Sequence, residues 1–245
     1  MTRPAIVLLS VPLGIRLMRL SVAKLSLVTG ATLALLGWRE QRRITALRKR
    51  LFAPAPSLLD GCAHQLAACP PAVARYLQLA LPGAPARPQG VEIRQSGSLR
   101  TGTMSRKWLP FEAVHRVAVP RLGFLWDAKV AVAPGIHVRV LDSLVDGAGA
   151  GKILLQSVIP MAGEADTGPM NSGSLHRLLA EAIWYPWVLL PGKHLSWRAV
   201  ADDRAEARLT IGKVSVSLMF RFAATGEATG IFTPARWGRF SGRYQ

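Results

Sequence analysis

Apolar and polar residues alternate with a period of two along most of the chain after residue 90. Val91 and Ile93, for example, would lie on one side of an extended chain, with charged residues between them. This spacing is typical of half-buried strands. It predicts seven strands, in segments 91–100, 111–119, 124–132, 136–145, 152–159, 204–211 and 213–222. Few helical crossovers intervene, so the strands are expected to pair antiparallel as a meander.

One segment in the middle of this pattern has helical periodicity instead. Five apolar residues form a stripe on one helical face: Leu175, Leu178, Leu179, Ala182 and Ile183. Ser174 is the expected N-cap, and the Tyr185-Pro186 pair ends the helix. The fold class predicted is therefore α+β: a curved, half-barrel-like antiparallel sheet whose concave face wraps around an inserted helix.

The region before the strands is predicted to be helical. Two short helices are expected at about 57–68 and 72–80, followed by a proline-rich linker. The predicted organisation is a basic, apolar N-terminal region at 1–52, a helical lead-in and linker at 53–88, and a β-rich domain at 89–245.

Residues 20–38 carry a single charge, Lys24, and would reach roughly 28 Å as a helix, close to the thickness of a bilayer core. Trp38 would lie at the far boundary, followed by a basic amphipathic segment suited to anionic headgroups. This pattern predicts a membrane helix. The alternatives are a signal peptide, a buried helix, or a stretch that lies upstream of the true start of the protein, although no small-x-small cleavage site follows the apolar run.

The net charge of +17 is concentrated in this N-terminal region, where residues 1–52 hold ten Lys/Arg and one acid, Glu40. Anionic lipid and nucleic acid both fit such a charge. The basic residues alternate with aliphatic residues and not with stacking aromatics, so membrane lipid is the expected partner. Six Lys/Arg follow the uncharged stretch 25–38 and four precede it, which favours a cytoplasmic β-rich domain.

A glycine-rich stretch, Asp146–Lys152, resembles a phosphate-binding loop at first sight. The P-loop pattern needs glycine where Asp146 stands and Ser or Thr where Ile153 stands. A helix should also follow, whereas the next residues read as a strand. The stretch is therefore interpreted as a hairpin connection, with Asp146-Gly147 as its turn.

Signals for catalysis, metals or cofactors are weak. The chain lacks the local nucleophile and zinc-protease motifs, and Cys62 and Cys69 are interpreted as small apolar residues. His115 and His137 are expected to point outward from strands. Arg177 and Glu181, four residues apart on a helix, form either a surface pair or a polar pair turned into a cavity. We expect no cofactor and no metal.

Six segments in order resemble the motifs of an uncharacterised bacterial family, the domain of unknown function numbered 6544, over about residues 70–240. The motifs are W-x-P-F-x-A from Trp108, G-F-x-W-x-A from Gly123, D-x-x-x-x-G-x-G from Asp142, R-x-x-x-E-x-x-W-x-P from Arg177, W-x-x-x-x-D-D-x-A from Trp197, and the closing ARWGRF. The resemblance implies a β-rich domain behind a membrane segment, and no established activity. Leu144 departs from the pattern, and similar proteins continue beyond Gln245, so the domain is expected to be C-terminally incomplete.

The leading hypothesis is a membrane-associated, non-enzymatic domain that binds a lipid-like or other apolar ligand. The candidate ligand-binding residues are Trp126, Arg177, Glu181, Trp184, Trp197 and Asp203. One alternative is an enzyme that uses Glu181, Asp202 or Asp203 as an acid or base near Arg177. Another is a structural partner of a membrane protein. The oligomeric state is left open.

Overall fold

The computed structural model describes residues 13–54, 57, 66–67, 69–83, 86–100, 106–238 and 243–244, with side chains described between residues 29 and 236. The chain divides into two compact units, one up to Arg43 and one from Ile44 onwards. The helices are α1 (Leu13–Leu51), α2 (Pro71–Ala80) and α3 (Gly168–Glu181). The strands are β1 (Gly90–Leu99), β2 (Leu109–Ala118), β3 (Gly123–Ala133), β4 (Ile136–Val145), β5 (Ala148–Leu155), β6 (Ile159–Ala165), β7 (Leu195–Ala201), β8 (Arg204–Ile211), β9 (Val214–Phe222), β10 (Ala228–Phe232), β11 (Trp237–Gly238) and β12 (Arg243–Tyr244).

The strands form two main antiparallel meanders. The first sheet has the order β1-β2-β3-β4-β5-β6, and the second has the order β10-β9-β8-β7. Every strand pair in them is antiparallel, so the α+β class and the antiparallel pairing are confirmed. Each of the seven predicted strands has a counterpart, although the one predicted at 152–159 is shifted to Ala148–Leu155 and is followed by a turn. Three edge strands that the alternation did not predict (β6, β7 and β10) complete the sheets.

Helix α3 packs against both sheets, contacting β4 and β5 of the first and β9 of the second. The leucines of its apolar stripe are fully buried: Leu175, Leu178 and Leu179 are at most 1% exposed. These side chains join one core cluster with Phe124 of β3 and Phe220 of β9. The inserted helix is therefore held between two sheets, because a stripe this wide needs apolar surface on more than one side.

The opposite face of the first sheet is covered by the end of α1. Ile44 and Leu51 are buried against Leu125 of β3 and Leu141 of β4. The last two turns of α1 therefore belong to the folded unit, and they form a second, smaller apolar cluster there.

Helix α3 begins earlier than the sequence pattern indicates. Its N-cap is Thr167, whose side-chain oxygen accepts a hydrogen bond from the Met170 backbone N–H at 3.3 Å. The prediction of Ser174 as N-cap is wrong, and Ser174 lies buried inside the helix. The first turns carry Gly, Pro, Asn and Ser, which obscure the helical periodicity.

Only the first two residues of the glycine-rich stretch, Asp146 and Gly147, connect β4 to β5 as predicted; residues 148–152 belong to β5 itself. Asp146 and Gly147 both have positive φ, 54° and 80°, and Val145 pairs with Ala148 across the turn. This is the two-residue hairpin that an Asp-Gly pair favours. Gly149 lies within β5, where its backbone N–H donates to the Asn171 side chain at 2.7 Å.

The remaining helix predictions have mixed outcomes. Helix α2 is confirmed, whereas most of the predicted helix 57–68 lies outside the described residues. Residues 20–38 are helical within α1. Among the residues whose side chains are described, no helix is long and apolar enough to cross a membrane. The part of the predicted span before residue 29 lies outside those residues.

Replacing Gly149 by alanine should destabilise the fold, because a Cβ there would lie 2.6 Å from the Met170 carbonyl oxygen and 2.7 Å from Ser174 Oγ. Overpacking of this kind costs about 1–3 kcal/mol. Chemical denaturation measures the loss. Gly163→Ala is the matched control, since the nearest atom to its new Cβ would be at 3.6 Å. Equal stability of the two variants would contradict the tight packing of α3 on β5.

Candidate functional site

Three residues on adjacent strands of the first sheet stand directly opposite one another. His115 pairs with Trp126, and Trp126 pairs with Asp142, so the three side chains lie on one face. Helix α3 packs on this face and presents Arg177 and Glu181, one turn apart. The structure therefore brings five polar or aromatic side chains into one cluster, the α3–sheet cluster: His115, Trp126, Asp142, Arg177 and Glu181.

Arg177 is the centre of the α3–sheet cluster. Its Nη1 donates to Asp142 Oδ2 at 2.7 Å, and its Nε donates to Glu181 Oε1 at 2.9 Å. The guanidinium lies 4.8 Å from the centre of the Trp126 ring and 5.3 Å from that of Phe124. The Trp126 ring is held in turn by a hydrogen bond from its Nε1 to Gln95 Oε1 at 2.7 Å. Two carboxylates and two aromatic faces thus fix the guanidinium.

Burial shifts the pKa values of the ionisable groups in the cluster. Burial by itself lowers the pKa of Arg177, but the charges of Glu181 and Asp142 outweigh it and raise that pKa above its ordinary value. Burial raises the pKa of Glu181, and the opposing effect of Arg177 compensates only in part. Arg177 therefore remains charged, and Glu181 holds a proton more readily than an exposed glutamate.

His115 is fully enclosed, with the rings of Phe124 and Tyr185 centred 5.5 Å and 6.1 Å from its own. Burial, followed by the charge of Arg177, lowers its pKa from 6.5 to about 3. The imidazole is therefore neutral near pH 7. The 3.4 Å contact between its Nε2 and Glu181 Oε2 is a polar contact and not an ion pair.

The cluster leaves several buried polar atoms without hydrogen-bond partners: both ring nitrogens of His115, Oδ1 of Asp142 and Oε2 of Glu181. Arg177 cannot serve as an anion receptor, since two carboxylates already occupy it. Within the described residues, no three His, Cys, Asp or Glu side chains are grouped as a metal site requires. The arrangement joins α3 to the sheet, and Glu181 is its group with acid–base character.

The structure does not bring the other predicted residues into this cluster. Trp184 is 49% exposed at the end of the short 3-10 helix Ala182–Trp184 that follows α3. Trp197 lies on β7, where its Nε1 donates to the Leu189 carbonyl at 2.9 Å and its edge faces Phe220. Asp203 lies with Asp202 in the turn between β7 and β8 and pairs with its neighbour Arg204 at 3.0 Å.

Sequence reasoning omitted two members of the cluster, His115 and Asp142. The expectation that His115 points outward is wrong, because its side chain is completely buried. The sequence does indicate that His115 is buried, because Phe111, Ala113 and Val117 alternate with His115 on the apolar side of β2. Asp142 stood at the start of a recognised motif, but no local pattern linked it to Arg177, 35 residues away.

The fold and the cluster together define a two-sheet α+β domain with a helix between the sheets, tied to the first sheet by a largely buried ion-pair network. The chain belongs to a family of unknown function, DUF6544, whose model matches residues 62–245. No curated protein and no solved structure matches the chain.

Replacing Arg177 by methionine should cost about 3–5 kcal/mol of unfolding free energy, because two largely buried carboxylates lose their counter-ion. Urea or guanidinium denaturation measures the change. Arg198→Met is the matched control: Arg198 pairs with Glu206 at 2.8 Å, but its side chain is 68% exposed, and such pairs contribute about 0–1 kcal/mol. Similar losses of unfolding free energy in the two variants would contradict the role of Arg177 in joining α3 to the sheet.

His115 should make the protein less stable in mild acid. The unfolded imidazole titrates near 6.5 and the folded one near 3, so below pH 6.5 the unfolded chain binds a proton that the folded chain does not. This difference costs up to about 1.4 kcal/mol per pH unit between those limits. The raised pKa of Glu181 acts in the opposite direction, adding stability as the pH falls.

The measurement is the free energy of unfolding between pH 7 and 4 for the wild type and for His115→Phe, which keeps an aromatic ring and removes the titrating group. The wild-type curve should fall more steeply than that of the variant. Val145→Ala, a buried change without a titrating group, should lower the whole curve and leave its slope intact. Parallel curves for wild type and His115→Phe would overturn the assignment.

Proposed function

We propose that the chain is a non-enzymatic, membrane-associated module that attaches to anionic lipid through α1. The observation that carries this proposal is the arrangement of residues 29–43 of α1. Residues 29–38 are uncharged and mostly exposed, and a basic segment follows them directly on the same helix.

The uncharged part of α1 presents large apolar side chains to its surroundings. Leu35 is 54% exposed, Trp38 is 53% exposed, and Leu33 is 40% exposed. Exposed apolar surface on a helix is a feature of protein and membrane contact sites. Trp38 stands where the uncharged part ends, and the Arg42 guanidinium lies over the face of its ring, 4.4 Å from the ring centre. Tryptophan favours the membrane–water interface because it combines a large apolar ring with a polar N–H.

The basic part of α1 supports binding to an anionic surface. Three arginines follow Trp38 within five residues: Arg39, Arg42 and Arg43. Each Lys or Arg close to an anionic membrane contributes about 1 kcal/mol of binding. The order of apolar residues followed by basic ones matches the order of acyl chains and headgroups in a lipid leaflet, which supports lipid over nucleic acid as the partner.

The folded unit supports a non-enzymatic role. In the α3–sheet cluster both carboxyl groups pair with Arg177, and the surrounding core is packed with side chains from both sheets and from α2 and α3. A lipid-like ligand therefore needs a site outside this core. An acid–base role for Glu181 is the second candidate function, favoured by its raised pKa and its contact with His115.

Full-length protein should bind vesicles of phosphatidylglycerol in phosphatidylcholine more tightly than vesicles of phosphatidylcholine alone. Replacing Arg39, Arg42 and Arg43 together by glutamine should weaken binding to the anionic vesicles by about 100-fold, at roughly 1 kcal/mol for each charge. Trp38→Ala should weaken binding to both kinds of vesicle. Co-sedimentation over a range of lipid concentrations measures each effect.

The matched control removes three exposed cations of the second sheet, Arg208, Lys213 and Arg221, again by glutamine. It changes the net charge equally and should leave vesicle binding intact. If the two triple variants bind equally, net charge and not α1 accounts for the binding, and the proposal fails.

A further inference from the structure

A cleft of about 700 Å³ lies in the folded unit, between the last turn of α1 and strands β1 and β2. Its volume falls within the range of about 300–1,000 Å³ that small-molecule sites occupy. The lining includes Arg48, Lys49, Phe52, Pro54, Val91 and Arg116. The cleft lies apart from the α3–sheet cluster and shares no residue with it.

The walls of the cleft are largely apolar. The Phe52 ring packs against Gly90 so closely that a Cβ at this glycine would lie 2.5 Å from the ring. The absence of a side chain at Gly90 thus gives the aromatic ring its place beside the strand. Phe52 remains 41% exposed, and Pro54 and Val91 extend the same apolar surface. Such a surface contacts hydrocarbon favourably.

The polar side of the cleft is cationic. Arg48 and Lys49 come from the last turn of α1, and Arg116 comes from β2. Glu92 also lines the cleft, but Arg116 at 2.9 Å and Arg94 at 3.7 Å both pair with it.

The neighbouring carboxylate, Asp146, is likewise shared between two arginines, Arg50 and Arg121. The side-chain hydrogen bonds from Arg121 and Arg50 lower the pKa of Asp146 despite its partial burial, so it remains ionised. Each carboxylate in this region is therefore outnumbered by the cations around it. Arg48 and Lys49 add further positive charge at the cleft itself.

We propose that this cleft binds a single anionic phospholipid, with its phosphate at Arg48, Lys49 and Arg116 and the start of an acyl chain against Phe52, Pro54 and Val91. Cations along one side and hydrocarbon along the other match an amphiphile better than a free anion or an uncharged apolar molecule. The inference rests on the proposed function in one respect only, namely that attachment to a membrane supplies the lipid. The cleft itself lies within the folded unit.

Decyl phosphate carrying a diazirine on its alkyl chain is a direct probe. It is added to full-length protein in buffer with phosphatidylcholine nanodiscs, irradiated, and located by peptide mass spectrometry. Labelling should saturate with probe concentration. The label should be located in the peptides that contain Phe52–Pro54 and Gly90–Glu92. Unlabelled decyl phosphate should compete, whereas inorganic phosphate and a decyl glucoside should not.

Arg48→Gln combined with Lys49→Gln should raise the concentration needed for half-maximal labelling by about tenfold or more, since two charge-assisted contacts are lost. Phe52→Ser tests the apolar wall and should reduce labelling in the same peptides. Arg48, Lys49 and Phe52 are all exposed, and circular dichroism checks that each variant keeps the fold. Arg208→Gln combined with Lys213→Gln is the charge-matched control and should label like the wild type.

The proposal is overturned by labelling without saturation, by equal labelling of the double variant and its control, or by effective competition from inorganic phosphate or the decyl glucoside. Labelling confined to residues 29–38 also overturns it, since that result indicates simple partition of the probe with α1. Vesicle binding by α1 is measured separately with the Arg39, Arg42 and Arg43 variant, which leaves the cleft intact. Failure of one proposal is therefore distinguishable from failure of the other.

Discussion

The folded unit depends on how one guanidinium is shared between a helix and a sheet. Arg177 reaches from α3 to Asp142 on β4 and stays attached to Glu181 on its own helix, while Trp126 and Phe124 lie under its plane. Burying three charges is unfavourable unless each finds its partners. Arg177 therefore specifies the position of α3 on the sheet: a shift of one turn would carry Glu181 along with Arg177 and leave Asp142 without a cation.

The first sheet is covered on both of its faces. Helix α3 occupies one face, and the end of α1 occupies the other through Ile44 and Leu51. The close approach of α3 at Gly149 depends on the missing side chain there. Since both faces are occupied at their centres, space for a ligand lies at the margin, where Phe52 and Gly90 border the cationic cleft.

Much of the fold was predictable from local pattern. Central strands such as β8 and β9 alternate clearly because one of their faces is buried. The edge strands β6, β7 and β10 were missed because most of their residues are exposed, so burial does not impose a pattern on them. The start of α3 was missed because Gly168, Pro169 and Asn171 are weak helix formers that the N-cap Thr167 and tertiary packing keep helical.

The sequence by itself determined the α+β class, the antiparallel pairing, the Asp146-Gly147 hairpin and the pairing of Arg177 with Glu181, because each depends on residues close together in the chain. Only the tertiary structure decided that Asp142 and His115 join that pair and that the strands divide into two sheets. It also decided that Arg48 and Lys49 stand beside Arg116. These contacts join residues 35 or more positions apart, and at such separations the packing of elements, and not local periodicity, selects the neighbours.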